Sequence, residues 1–309
     1  IRLDAIAFLW KELGTSCLHL KQTHEVVKLI RSIFDIYLPQ CVLLTETNVP
    51  HKENISYFGN NDEAHMVYQF SLPPLILHAL NRGTSTHLYT WASQLLPLSD
   101  DATYLNFTAS HDGVGLRALE GVLSANELND LLDCMHRFGG FVSMKSNSDG
   151  IDTPYEINIS YFDAMQGTRR GPDQFQVQRF VCSQAIMLSL QGIPALFINS
   201  IIATENDLQG VESTGRTRSI NRKKWNYQEL EALLENKSSV QSEVFELLTT
   251  LIHLRKIYSC FHPAATQDII DTGDSVFSLT RCYKKTNTML FALHNVTAVQ
   301  QTLEISAAE

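Results

Sequence analysis

The chain has 309 residues, 44% of them apolar and 18% charged, with a net charge of −9. Surplus acid repels nucleic-acid phosphates at long range, so no nucleic-acid partner is expected. No apolar run reaches the roughly 20 residues of a membrane-spanning helix, so no membrane partner is expected either.

In chain order, residues 1–9 (IRLDAIAFL) read as a compact apolar strand on which Arg2 and Asp4, two apart, share a face. An amphipathic helix follows, started by Thr15 or Thr23, running through Val26, Val27, Ile30, Ile33, Phe34 and Tyr37, and closed by Pro39. Cys41 to Glu46 is a short buried strand ending on an acid. Another strand at 66–71 leads into a helix opened by Pro73 and Pro74, with a further helix at Thr86–Leu95. A strand over 103–109 then delivers His111 and Asp112. Recurring buried strands and amphipathic helices are the signature of parallel βα units.

Beyond Asp112, Ser124 with Glu127 three residues on forms a capping box for a helix over 124–138. The polar stretch 139–174, with a strand-like segment at Tyr155–Tyr161, reads as an insertion over the barrel mouth. A helix over 175–190 ends at Gly192, and Ile193–Ile198 is the next strand. The region 199–239 carries the basic cluster Arg216, Arg218, Arg222, Lys223 and Lys224, and a helix spans 240–259. From Ala264 the period changes to two, with strands expected near Val276–Thr280, Met289–Leu293 and Thr302–Ile305. The expected organisation is therefore α/β. Residues 1–262 would form the C-terminal part of a (β/α)8 TIM barrel, and 263–309 a small antiparallel β domain. Ile1 falls inside a strand, so the chain is read as N-terminally truncated. The rest of the barrel is expected from the same gene product.

Six cysteines (Cys17, Cys41, Cys134, Cys182, Cys260 and Cys282) stand singly, with no CxxC or CxH spacing. Buried free thiols point to a reducing cytoplasm. The sequons at Asn54, Asn106, Asn158 and Asn295 are read as chance matches. His51 and His65 lack a second ligand at metal spacing, so no metal and no cofactor are expected.

Asp4, Glu46 and Asp112 each lie at the carboxyl end of an apolar run, the rim where barrel active sites assemble. A retaining glycosidic-bond enzyme needs a carboxylate nucleophile close to a protonated acid/base. Asp4, beside the fixed charge of Arg2, suits the nucleophile. Glu46, with no cation adjacent in sequence, suits the proton donor. Asp112 is a third carboxylate for sugar hydroxyls, and His111 a hydrogen-bond donor to the same sugar.

These residues resemble the α-amylase family of glycoside hydrolases (family 13). RLDAIAFLWK is similar to its strand-4 motif, LLTETNVPH to the strand-5 motif, and NFTASHDG to the strand-7 motif. The likeness implies Asp4 as nucleophile, Glu46 as acid/base and Asp112 as transition-state stabiliser, supported by Arg2 and His111. ETNVPHKENISYFGNNDEAHMVYQFSLPPLILHAL and the segment from Gln184 to Trp225 narrow the resemblance to the sucrose phosphorylase subfamily, nearest its glucosylglycerate and sucrose 6-phosphate phosphorylase branch. That implies an α-glucoside and inorganic phosphate as substrates, with release of α-glucose 1-phosphate. Arg222 is then expected at the sugar or acceptor, Arg216 and Arg218 at an anion, and His51, Glu205, Asn206 and Asp207 along the acceptor side. A hydrolase or transglycosylase with the same acids, and an inactive amylase-like fragment, are the alternatives.

Overall fold

The computed structural model describes residues 1–95, 98–99, 101–146 and 150–304. Strands β1 (Arg2–Leu3), β2 (Leu44–Thr45), β3 (Met66–Tyr68) and β4 (Thr103–Phe107) pair in parallel and in chain order. Between them lie α1 (Lys21–Tyr37), the short α2 (His51–Ile55), α3 (Leu72–Arg82) and α4 (Thr86–Ser93). Next come β5 (Val114–Gly115), α5 (Ala125–Arg137), β6 (Phe141–Ser146), β7 (Asp152–Asn158), β8 (Gly167–Thr168) and β9 (Gly171–Pro172). Helix α6 (Gln176–Ser189) returns the chain to β10 (Ile193–Ala195), which adds to β4 in parallel. The result is a five-stranded sheet, five adjacent staves of a (β/α)8 barrel. The polar region folds as α7 (Ile198–Ile201), α8 (Leu208–Thr214) and α9 (Tyr227–Glu235), followed by the long α10 (Val240–Ile257).

The strands are shorter than the apolar runs. β1 stops at Leu3 because Ala5 turns into the left-handed region at φ 45°, and residues Ile6–Phe8 form a 3-10 turn instead of more strand. α1 also departs from expectation. Val27 is fully buried, but Ile33 and Tyr37 are 45% and 76% exposed. They lie on the helix that follows β1, the edge strand of the open sheet, where nothing among the described residues packs over them. On the covered part of the sheet, Leu43, Val67 and Tyr104 point to the helix layer and pack with Val27, Tyr57 and Phe58.

α3 is buried along almost its whole length, from Leu72 to Asn81. Its first turn accepts Pro73 and Pro74, which lack the N–H that this turn leaves unused, and Gly83 at φ 72° ends it in a left-handed cap. α5 shows the expected capping box, with Ser124 Oγ accepting from Glu127 N and the Glu127 carboxylate accepting from Ser124 N. The polar stretch after Asp112 builds a three-stranded antiparallel sheet in the order β5-β7-β6.

The period-two tail forms a separate antiparallel sheet of β11 (Thr266–Ile270), β12 (Val276–Tyr283) and β13 (Thr288–Asn295). Residues 302–304 form no strand, and Ile305 lies outside the described residues. Arg281 of β12, fully buried, fastens this sheet to the barrel. Its guanidinium donates to the carbonyls of Ser189 (3.0 Å), His262 (3.0 Å), Ala265 (3.3 Å) and Thr266 (3.3 Å).

Truncating Arg281 takes a donor from four carbonyls, those of Ser189 and Ala265 being buried. Arg281→Ala is expected to lower the unfolding free energy by about 3 kcal/mol. Arg281→Lys should recover less than half of that, because an ammonium is not a planar fork. Urea denaturation of the three proteins checks both values, and an unchanged midpoint in Arg281→Ala would refute the role.

Candidate active site

The pairing of β1 with β2 sets Leu3 opposite Thr45, so the residues that follow, Asp4 and Glu46, leave adjacent strands on the same rim. The Arg2 guanidinium lies between them, with Nη1 2.6 Å from Asp4 Oδ1 and Nη2 3.9 Å from Glu46 Oε2. Its Nε donates to the Tyr68 hydroxyl at 3.2 Å, and the cation stands 5.7 Å from the Tyr68 ring centroid. The left-handed turn at Ala5 has a local purpose, since it aims the Ala5 N–H at Glu46 Oε2, 2.8 Å away.

The two acids sit in different surroundings. The Asp4 side chain is 74% exposed, whereas that of Glu46 is 16% exposed. Burial raises the Glu46 carboxyl above its ordinary value; the Ala5 hydrogen bond and Arg2 oppose this, and the negative charges of Asp4 and Asp112 add to it. Glu46 therefore lies within electrostatic reach of both other carboxylates.

Asp112 is heavily tethered. Arg218 Nη1 lies 2.6 Å and Arg222 Nη2 3.2 Å from its Oδ1, and His111 Nε2 is 3.5 Å from its Oδ2. Arg218 also forks onto Glu156 of β7, with Nε 2.9 Å from Oε1 and Nη2 2.6 Å from Oε2. Asn221 donates to the Asp112 and Ser110 carbonyls at 2.7 and 3.2 Å, and Arg222 Nε donates to the His111 carbonyl. Gly113 makes the approach to β7 feasible, because a Cβ there would sit 2.4 Å from the Ile157 carbonyl oxygen.

Arg2, Asp4, Glu46, His111, Asp112, Arg218 and Arg222 thus come together. Arg216 is exposed, and its side chain forms no ion pair or hydrogen bond among the described residues. His51 is placed elsewhere. Its ring packs against Trp91 and Tyr104, at centroid distances of 6.5 and 6.3 Å, on the helix side of the sheet, and burial holds its pKa below the usual value. The structure therefore gives it a packing position, not one at the rim. Asn206 holds the fold together through Ser160 N, the Asp163 carboxylate and the Phe138 carbonyl, while Asp207 caps α8 at Gly210 N. Glu205 is exposed.

Three residues at the site escaped the sequence reading. Tyr68 carries the hydroxyl on Arg2 and joins Phe70 and Phe107 in an aromatic cluster with centroids 5.3–5.5 Å apart. The signal available was their alternation at the ends of two strands that were assigned only to the core. Glu156 lies in the strand-like segment of the insertion and Asn221 in the segment from Gln184 to Trp225, with no local cue to their partners.

Comparison with known proteins finds no matching family model. The chain is 44% identical over 307 residues to the glucosylglycerate phosphorylase of Escherichia coli (strain K12), covering 99% of this chain and 55% of that protein. It is 41% identical over 301 residues to the glucosylglycerate phosphorylase of Spirochaeta thermophila, covering 97% and 51%. The chain spans about half the length of the curated relatives it matches. Among solved structures, sucrose 6F-phosphate phosphorylase from Thermoanaerobacter thermosaccharolyticum superposes with a TM-score of 0.77 at 23% identity, over 95% of this chain and 58% of that one. At that identity the likeness speaks for the fold alone.

Folding raises the proton affinity of Glu46 above its unfolded value near 4.5. The stability this contributes is complete below about pH 4.5 and is lost as pH rises through the folded value. Glu46→Gln is uncharged at every pH and keeps an acceptor for Ala5 N–H. It is expected to be more stable than the wild type near pH 7, with the advantage vanishing as pH falls below about 4.5. Urea unfolding across this range reads the difference. A variant less stable at neutral pH would show that the carboxylate is not under a burial penalty.

Proposed function

We propose that the chain belongs to the sucrose phosphorylase group of the α-amylase family and carries the catalytic acids of a retaining α-glucoside phosphorylase acting on glucosylglycerate. The observation that supports this best is the single guanidinium of Arg2 set between an exposed Asp4 and a buried Glu46 on neighbouring strand ends. One carboxylate is open to a sugar and paired to a cation, and the other holds its proton more tightly.

In the proposed first step an Asp4 oxygen attacks the anomeric carbon of the glucosyl unit while Glu46 gives its proton to the departing glycosidic oxygen, releasing glycerate. The products are a glucosyl ester on Asp4 and an ionised Glu46. Phosphate then enters on the face that glycerate left, and one of its oxygens attacks the same carbon. The Asp4 ester bond breaks, Glu46 takes the phosphate proton if one is carried, and α-glucose 1-phosphate leaves. Two inversions retain the configuration. Asp112, held by Arg218 and Arg222, is proposed to bind sugar hydroxyls, with His111 beside it. Because Arg218 and Arg222 are engaged on Asp112, they act here as positioning residues. Arg216 keeps an uncommitted guanidinium for an anionic group.

A sheet of five strands with two free edges does not close a barrel. We therefore assign the remaining strands, and with them the cover for Ile33 and Tyr37, to further residues of the same polypeptide. No described helix is long and apolar enough to cross a membrane. The six unpaired cysteines support a cytoplasmic location.

In protein with a closed barrel, glucosylglycerate plus phosphate should yield glucose 1-phosphate, and omitting phosphate should stop consumption of the substrate. Equal glucose release with and without phosphate would instead identify a hydrolase. Asp4→Asn is expected to cut turnover by at least about 10³-fold and to prevent formation of the glucosyl-enzyme, read by intact mass, while leaving the circular dichroism spectrum unchanged.

A further inference from the structure

Away from the acids of the sheet rim, three helices bring His78 of α3, His87 of α4 and Glu127 of α5 to one point, where one ligand atom of each lies within 4.8 Å of the others. His87 Nε2 is 3.0 Å from Glu127 Oε1, and His78 Nε2 is 3.7 Å from the same oxygen. We infer that these three side chains form a binding site for one zinc-class divalent ion, completed by water, that braces the helix layer of the barrel.

Four observations carry this reading. First, the spacing fits an ion placed among the atoms. Ligands on a tetrahedral ion with bonds of about 2.1 Å stand about 3.4 Å apart, between the 3.0 Å of the His87–Glu127 hydrogen bond and the 3.7 Å of the His78–Glu127 contact. Second, His78 is 1% exposed, and neither of its ring nitrogens has a hydrogen-bond partner. A buried imidazole without partners is costly, and an ion on Nε2 would supply one.

Third, the carboxylate is already oriented. Glu127 Oε2 accepts from Ser124 N at 3.0 Å and Ser124 Oγ at 2.7 Å, which leaves Oε1 facing the histidines. Hydrogen bonds of this kind fix a metal ligand from behind. Fourth, the His87 and Glu127 side chains are 26% and 23% exposed, so an ion reaches the site from solvent and keeps a water ligand, while His78 closes it from the core. Arg82, a neighbouring cation, is occupied by Asp130 at 2.8 Å. Two imidazoles and one carboxylate suit zinc and its transition-metal neighbours and do not suit calcium or magnesium, which take oxygen.

The test uses untagged full chain stripped with a chelator and then titrated with zinc chloride by calorimetry. A parallel cobalt(II) titration is followed by visible absorption. One equivalent of zinc should bind, the thermal midpoint should rise with zinc concentration, and cobalt should give the intense visible bands of a four-coordinate ion. His87→Ala lies at the rim, and Glu127→Gln preserves the capping box. Each should weaken zinc binding at least about tenfold and remove the cobalt bands. No saturable zinc binding would overturn the assignment. So would binding unaffected by His87→Ala and Glu127→Gln, or cobalt bound with the weak spectrum of a six-coordinate surface ion.

Discussion

The arrangement at the sheet rim depends on Arg2. Its guanidinium touches Asp4, faces Glu46 and is steadied by the hydroxyl and ring of Tyr68, so one side chain fixes the spacing of two acids. Without a cation between them, two carboxylates leaving neighbouring strands would repel, and one would stay protonated for lack of compensation. The backbone makes a matching concession. Ala5 accepts a left-handed conformation that costs an L-residue about 1–2 kcal/mol, and its N–H is thereby turned onto the Glu46 carboxylate. Strain of this kind gathers where the chain must hold a functional group in place.

The third acid follows the same rule with different parts. Asp112, one turn beyond β4, receives two guanidinium groups from the segment that follows α8, and the insertion supplies Glu156 to anchor one of them. Acids and arginines alternate across the rim, so no carboxylate there is left to its own repulsions. Arg218 thereby links Glu156 of the inserted antiparallel sheet to Asp112 at the barrel rim.

Much of this was readable in advance where the signal was local. The alternation of short apolar runs with amphipathic helices gave the parallel sheet, and Ser124 with Glu127 gave the start of α5. The ends of three runs pointed to Asp4, Glu46 and Asp112; the fold sets the first two on neighbouring strand ends, with Asp112 in electrostatic reach of Glu46. What escaped depended on contacts between distant segments. Nothing in IRLDAIAFL announces that Ala5 breaks the strand, because the reason is a carboxylate 41 residues away. His51 follows the Glu46 motif closely in sequence, yet a helix start after a barrel strand can turn its side chain toward the helix layer, and there Trp91 and Tyr104 receive it. The proposed cluster of His78, His87 and Glu127 lies outside the short spacings around His51 and His65, its members nine and forty residues apart on three helices.

Arg281 joins the C-terminal sheet to the barrel through main-chain oxygens alone. A lock built on carbonyls is indifferent to which side chains its partners carry. Exchanges at the exposed positions 262 and 266 should therefore leave the junction intact as long as the backbone keeps its path, whereas the arginine has no comparable latitude. Within a lineage that conserves this junction, the constraint should fall on one position of β12 and on the lengths of the connecting loops.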